Sequence, residues 1–181
     1  DFFSWHRYTP SVENLCQRVR LARELLDRYG FYNTESILNE WNYVKSCAGD
    51  DWIYSLKAEK GIKGASFVAS VMETCQYEPL NMLMYYDARP CAMNGMFSTD
   101  LVCDKLKGYY PFLMFNSLYT LENAFAVTSN DADIHICAAA NNSEAAVMLT
   151  HYSDDDEKKS SEVIVELSGL RAENGCEIES Y

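Results

Sequence analysis

Three segments of the chain share one plan: a short apolar run that ends in polar and aromatic residues, followed by a longer stretch. They are Asp1–Tyr8, Ser36–Asn42 and Leu80–Asp87. In the second, Ser36-Ile37-Leu38-Asn39-Glu40-Trp41-Asn42, an apolar strand runs straight into a carboxylate set between an amide and an indole. The stretches that follow carry helical patterns. From Ser11 to Gly30, residues Val12, Leu15, Cys16, Val19, Ala22, Leu26 and Tyr29 recur at helical spacing, with Ser11 as N-cap and Gly30 as stop. Gly64 to Tyr77 predicts a second helix, with Ala65, Val68, Ala69, Met72 and Cys75 on one stripe and Pro79 beyond its end. The third follows Lys107-Gly108, with Pro111 in the first turn, where its missing N–H costs nothing. Apolar strands alternating with helices imply a parallel sheet with helices outside it. Between Asn42 and Gly64 lies a long excursion in which Asp50-Asp51-Trp52 opens a short helical turn. Long loops after a strand commonly carry function.

After Asn123 the pattern changes. Ala124–Ser129, Ile134–Ala140, Ala145–His151, Ser161–Leu167 and Cys176–Tyr181 read as short strands separated by loops rich in Asn, Asp, Ser and Gly, the spacing of an antiparallel sandwich. Residues 1–122 and 123–181 are therefore expected to form separate domains. A complete eight-fold barrel needs about 250 residues. Three units that end in a change of architecture read as an α/β fold, the last three βα units of a (β/α)8 TIM barrel, followed by a partial antiparallel β-sandwich.

Charge and cysteine usage exclude several classes. The 181 residues carry a formal net charge of −12, which weighs against a nucleic-acid partner because phosphate binding needs clustered Lys and Arg. The run Asp154-Asp155-Asp156-Glu157 is expected to be a solvated acidic loop. No stretch approaches the roughly 18 apolar residues of a membrane span, and no leader pattern is present. The chain begins at Asp1 inside a strand-like run and reads as a fragment. Its seven cysteines contain no C-x-x-C pair, and four fall in apolar runs, so reduced thiols in a cytoplasmic setting are expected rather than a disulfide framework or zinc site. Neither a cofactor nor a metal is expected. Open sheet edges could drive oligomerisation.

At these residues the chain resembles the C-terminal part of a retaining glycoside hydrolase with a barrel fold, and it is most similar to family 39, the β-xylosidase and α-iduronidase group. His6-Arg7-Tyr8 matches the His-x-Tyr that often ends the sixth strand of such barrels. Glu40 takes the place of the nucleophilic glutamate that ends the seventh, and Tyr85-Tyr86-Asp87-Ala88-Arg89-Pro90 that of the sugar-pocket rim after the eighth. Two departures stand out. Tyrosines occupy the last strand where a tryptophan is usual. Asn39-Glu40 also resembles the Asn-Glu pair that marks the fourth-strand acid/base, but only one further βα unit follows Glu40, which suits the seventh strand.

The resemblance implies a β-glycoside substrate and Glu40 as the catalytic residue. His6 and Tyr8 would donate hydrogen bonds to Glu40, and with Trp5, Trp41, Asn42, Tyr86, Asp87 and Arg89 they would contact substrate. Blander readings stand beside these: a strand-end acid for Glu40, core aromatics for Trp5 and Trp41, an ion pair for Asp87 and Arg89, and structural roles for His135 and His151. A non-catalytic carbohydrate-binding protein on the same barrel is the rival function. The proton donor would lie on a strand this chain lacks, so the chain by itself is expected to be inactive.

Overall fold

Strands β1 (Phe2–Tyr8), β2 (Glu35–Asn42) and β3 (Met82–Tyr85) form one parallel sheet in the order β1-β2-β3. The computed structural model describes residues 1–169. The crossovers are helical, as parallel pairing requires. Helix α1 (Val12–Arg28) joins β1 to β2, with the Ser11 hydroxyl accepting from the backbone N–H of Asn14 at 3.1 Å. Helices α2 (Gly49–Ala58) and α3 (Ile62–Cys75) join β2 to β3, and α4 (Tyr109–Tyr119) follows β3. The expected turn at Asp50 is thus a helix of 10 residues, with Asp50 and Asp51 in its first turn.

One core holds these elements together. Val12, Leu15, Cys16 and Val19 of α1, with Phe67, Val68, Val71, Met72 and Cys75 of α3, bury Leu38 and Trp41 of β2. The register carries a bulge that decides what faces this core. Trp5 pairs with Leu38 but His6 pairs with Glu40, so Asn39 is an extra residue in β2. Strict alternation would place Glu40 on the same face as Leu38, against the helices. With the extra residue, Leu38 and Trp41 both face the core, and Glu40 faces the other way, beside His6 and Tyr8.

Strands β4 (Asn123–Phe125), β5 (Ile134–Ala140) and β6 (Ala145–His151) form an antiparallel sheet in that order. The β5–β6 hairpin is closed by Asn141, whose side-chain oxygen accepts from the N–H groups of Ser143 and Glu144 at 2.9 and 2.8 Å. Cys137, Ala139 and Met148 pack on Ala69 of α3 and on Leu118 and Leu121 at the end of α4.

Three sequence expectations need correction here. The strand expected over 124–129 is only three residues long. Ser161–Leu167 forms no ladder; Ile164 is 85% exposed and the segment pairs with no strand among the described residues. Among the described residues the antiparallel sheet is a single layer, because α3 and α4 cover the apolar face that a second sheet would have covered. The strand expected over Cys176–Tyr181 lies outside the described residues.

The acidic run after β6 is not a freely solvated loop. Tyr43 donates to Asp154 at 2.6 Å, Lys45 lies 3.5 Å from the same carboxylate, and Tyr54 donates to Asp156 at 2.7 Å. Lys63 pairs with Asp156 and donates to the Asp154 carbonyl at 2.8 Å. The Tyr152 hydroxyl donates to the Pro10 carbonyl, and its ring packs on Phe67 at 5.5 Å between centroids. The run is a clasp that ties the segment after β6 to the excursion after β2. The sequence displays its charge but not its partners, which lie about a hundred residues upstream.

Between α3 and the antiparallel sheet, Glu73 is fully buried, and among the described residues neither carboxyl oxygen has a well-formed hydrogen bond. Burial pushes its carboxyl up to about 8, with only partial relief from the Thr150 hydroxyl. The unfolded chain ionises this group near 4.5, so the advantage of the neutral form is full at acid pH and is lost as pH rises from there through about 8. Glu73→Gln is therefore expected to stabilise the protein by about 1–3 kcal/mol at about pH 8.5 and by close to nothing at about pH 4.5, measured by urea denaturation at both pH values.

Candidate active site at the strand ends

β1 and β2 lie in parallel with His6 opposite Glu40 and Tyr8 opposite Asn42, at the C-terminal ends of both strands. His6 and Tyr8 are two residues apart and so share a face. The Tyr8 hydroxyl donates to Glu40 Oε2 at 2.8 Å, and His6 Nδ1 lies 3.2 Å from the same oxygen. Glu40 Oε1 takes no hydrogen bond among the described residues. The Glu40 side chain is 31% exposed, so it is reachable from solvent while held from one side. Burial, and then the bond to Glu40, push the Tyr8 phenol well above its ordinary range. Tyr8 therefore remains a hydrogen-bond donor at any physiological pH.

The segment after β3 supplies a second wall. The Tyr86 ring meets Tyr8 edge-on, with centroids 6.3 Å apart. Arg89 lies over the Tyr86 ring at 5.9 Å and donates to Asp87 Oδ2 at 2.6 and 3.0 Å. Asp87 Oδ1 accepts from the Arg89 backbone N–H at 2.6 Å. Burial alone would raise the Asp87 carboxyl, but these bonds from Arg89 outweigh it and hold the group below the usual carboxylate range. The order along this side is thus Glu40, Tyr8, Tyr86, Arg89, all at one end of the sheet.

Of the residues expected at the site, His6, Tyr8, Glu40, Tyr86 and Arg89 come together. Four others do not reach the open face. Trp41 is 1% exposed and packs on Phe67 and Tyr85, at 6.2 and 5.6 Å between centroids, because its neighbour Glu40 takes the opposite face. Trp5 turns toward the helices, where it packs on the core and its indole N–H donates to Ser36 Oγ at 3.0 Å.

Asn42 is also 1% exposed, and its amide is spent on the protein itself. It donates to the carbonyls of Tyr86 and Met93 at 2.8 and 2.9 Å and accepts from the Tyr43 N–H at 2.8 Å. Asp87 is 6% exposed and engaged with Arg89, the ion-pair alternative named above. Sequence reasoning placed Tyr85 in the rim without its role as a fastener, and it missed Gly95. The Tyr85 hydroxyl accepts from the Gly95 N–H at 3.1 Å and from Asn42 at 3.3 Å, fastening the lip loop to the end of β2. The glycine in the loop after a strand was the available signal, since such a position marks close backbone approach.

No protein-family profile matches the chain, and no curated protein resembles it in sequence. Solved structures do match its fold. A glucosidase from Croceicoccus marinus superposes with a TM-score of 0.71 at 17% identity, over 86% of this chain and 34% of that one. A GH39 β-xylosidase from Caulobacter crescentus superposes with a TM-score of 0.55 at 14% identity, over 81% of this chain and 32% of that one. The chain has a fold like that of family 39 glycosidases, and it spans about a third of the length of these two proteins.

The bonds of Asn42 make it the pin between β2 and the lip. Asn42→Ala leaves the carbonyls of Tyr86 and Met93 without their Asn42 donor and is expected to destabilise the protein by about 1–3 kcal/mol, measured by chemical denaturation. A loss below about 0.5 kcal/mol would show that the lip is held elsewhere.

Proposed function

We propose that the chain carries the nucleophile half of a retaining, β-xylosidase-like glycoside hydrolase, with Glu40 as the nucleophile. The observation that carries this reading is the placement of Glu40. It is a strand-end carboxylate, accessible on one side and bonded on the other by Tyr8, with His6 at 3.2 Å, in a fold like that of glycosidases. Retaining hydrolysis uses two carboxyl groups about 5–5.5 Å apart, one attacking the anomeric carbon and one first donating and then accepting a proton. Glu40 Oε1, free of internal bonds, attacks and forms a glycosyl ester. Tyr8 and His6 steady Oε2 while its charge is withdrawn into that ester and again when water releases the sugar. Tyr86 and Arg89, together with His6, are the rim contacts for sugar hydroxyls and ring faces. Trp5, Trp41 and Asn42 have no part in substrate contact; they build the floor beneath it. The proton donor belongs to a strand outside this chain, so double displacement is proposed for a site completed by further strands. The 181 residues alone are expected not to turn over substrate.

In a protein that includes the remaining strands, Glu40→Ala is expected to lower hydrolysis of an aryl β-xyloside by at least about a thousandfold. Azide is expected to restore turnover and to give a glycosyl azide of inverted configuration. Unchanged hydrolysis in the variant would sink the nucleophile assignment. Sugar binding without turnover in the unaltered protein would favour a carbohydrate-binding role instead.

A further inference from the structure

A second glutamate lies beneath the same lip, and the site described so far does not use it. Glu59 follows α2 directly and is 1% exposed, with both carboxyl oxygens buried and without a hydrogen-bond partner among the described residues. Its backbone is the floor on which the lip rests. A Cβ placed at Gly95 would stand 2.3 Å from the Glu59 carbonyl oxygen, and one at Gly64 would stand 2.5 Å from the Glu59 Cα. The lip backbone therefore touches the turn at Glu59 with no space between them. Lys60 adds two ties, donating to the carbonyls of Ala92 and Asn94 at 2.6 and 3.1 Å.

The groups that face the Glu59 carboxyl are few. Lys60 lies beside it in sequence, and Tyr85 approaches from β3. Lys60 turns its ammonium toward the lip carbonyls. The Tyr85 hydroxyl oxygen already accepts from Gly95 and Asn42. A buried carboxylate with no donor is costly, and the way out is to stay protonated or to admit water.

We propose that Glu59 is a proton-operated latch on the lip: neutral, it lets residues 91–97 seat on the turn at Glu59 and hold Tyr86 and Arg89 beside Glu40, and ionised, it draws in water and releases that loop. The chemistry is a single proton exchanged with solvent, with no bond made or broken in the chain. Burial pushes the Glu59 carboxyl up to about 8, against a small opposing effect of Lys60, so the latch is closed at neutral pH and opens as the solution turns alkaline. The same burial first, with the Glu59 charge among the smaller causes, pushes the Tyr85 phenol up to about 12, so Tyr85 keeps its proton while the latch opens. The proposal concerns the position of the lip and stands whether or not Glu40 is a nucleophile.

The test is hydrogen exchange on the unaltered chain, Glu59→Gln and Glu73→Gln, expressed as protection factors so that the intrinsic pH dependence of exchange is removed. Between about pH 7 and about pH 9.5, amides of residues 91–97 in the unaltered chain are expected to lose protection at least about tenfold more than those of α1, whose smaller loss follows the fall in global stability. Glu73→Gln is expected to behave like the unaltered chain, and Glu59→Gln to show no such loss. Equal loss in α1 would mean global unfolding and overturn the latch. So would a flat response in the unaltered chain or a loss that persists in Glu59→Gln. Should Glu59→Gln fail to fold, the carboxyl of Glu59 is followed directly by carbon-13 resonance in the unaltered chain; ionisation in the ordinary carboxylate range would overturn the proposal.

Discussion

Helix α3 is the element on which both sheets lean. Phe67, Val68, Val71, Met72 and Cys75 face the parallel sheet and α1, while Ala69 faces the antiparallel sheet and the end of α4. A helix buried on opposite sides cannot read as amphipathic, and α3 instead mixes large apolar residues with small ones such as Ala65, Ala69 and Ser70. The small ones let backbones approach closely, and the large ones supply roughly 1.5–3 kcal/mol each of burial. Phe67 shows the coupling most directly. Its ring touches Trp41 of β2, Tyr43 just beyond it and Tyr152 just after β6, so one side chain joins the candidate site's strand to the segment carrying the acidic clasp. The position of Glu40 therefore depends on packing well outside the strand that bears it.

The parts of this arrangement visible in the sequence are those with short-range causes. Helix α1 was legible because its apolar spacing and Ser11 cap are local, and the parallel sheet because strand and helix patterns alternate. The meeting of His6, Tyr8 and Glu40 was legible only through the resemblance, since nothing local aligns two strands 34 residues apart. The two tryptophans show what plain period-two reasoning can and cannot do. Trp41 follows Glu40 directly in a strand, so the two could not share a face, and that much could have been read from the sequence. The bulge at Asn39 could not. It is a register event between β1 and β2, and without it Glu40 would lie under the helices with Leu38.

The acidic run is a loop with Asp155, Asp156 and Glu157 exposed, as expected, but its partners were hidden for a different reason. Asp154 and Asp156 have no local partner, and four like charges in a row ordinarily repel into solvent. Their neutralisation depends on Tyr43, Lys45, Tyr54 and Lys63, which reach them only once α3 and Phe67 have brought the two regions together. Long-range pairing of this kind is a consequence of the fold and leaves no trace in composition. The strand expected over Ser161–Leu167 failed by the converse route: Val163, Ile164 and Val165 have the right propensity, but propensity alone makes no ladder, and among the described residues this segment is paired with no strand.

Two glutamates at one end of the parallel sheet end up in opposite environments, and the backbone accounts for the difference. Glu40 is turned out of the core by one extra residue in β2 and meets a phenol that can only donate to it. Glu59 is turned in where α2 gives way to α3, its carboxyl buried, and glycines at 64 and 95 bring neighbouring backbone against its own. An exposed, hydrogen-bonded carboxyl is suited to accept or attack; a sealed one with no donor is suited to hold a proton. Neither role follows from the residue type, and neither needs a metal or a distant charge to explain it. Asn42 and Tyr85 stand between the two, bonded to each other and to the lip that passes over Glu59 and carries Tyr86 toward Glu40. A change in the charge of Glu59 would therefore reach the candidate site through the lip backbone, and a change at Glu40 would meet the stiff pair of strands first.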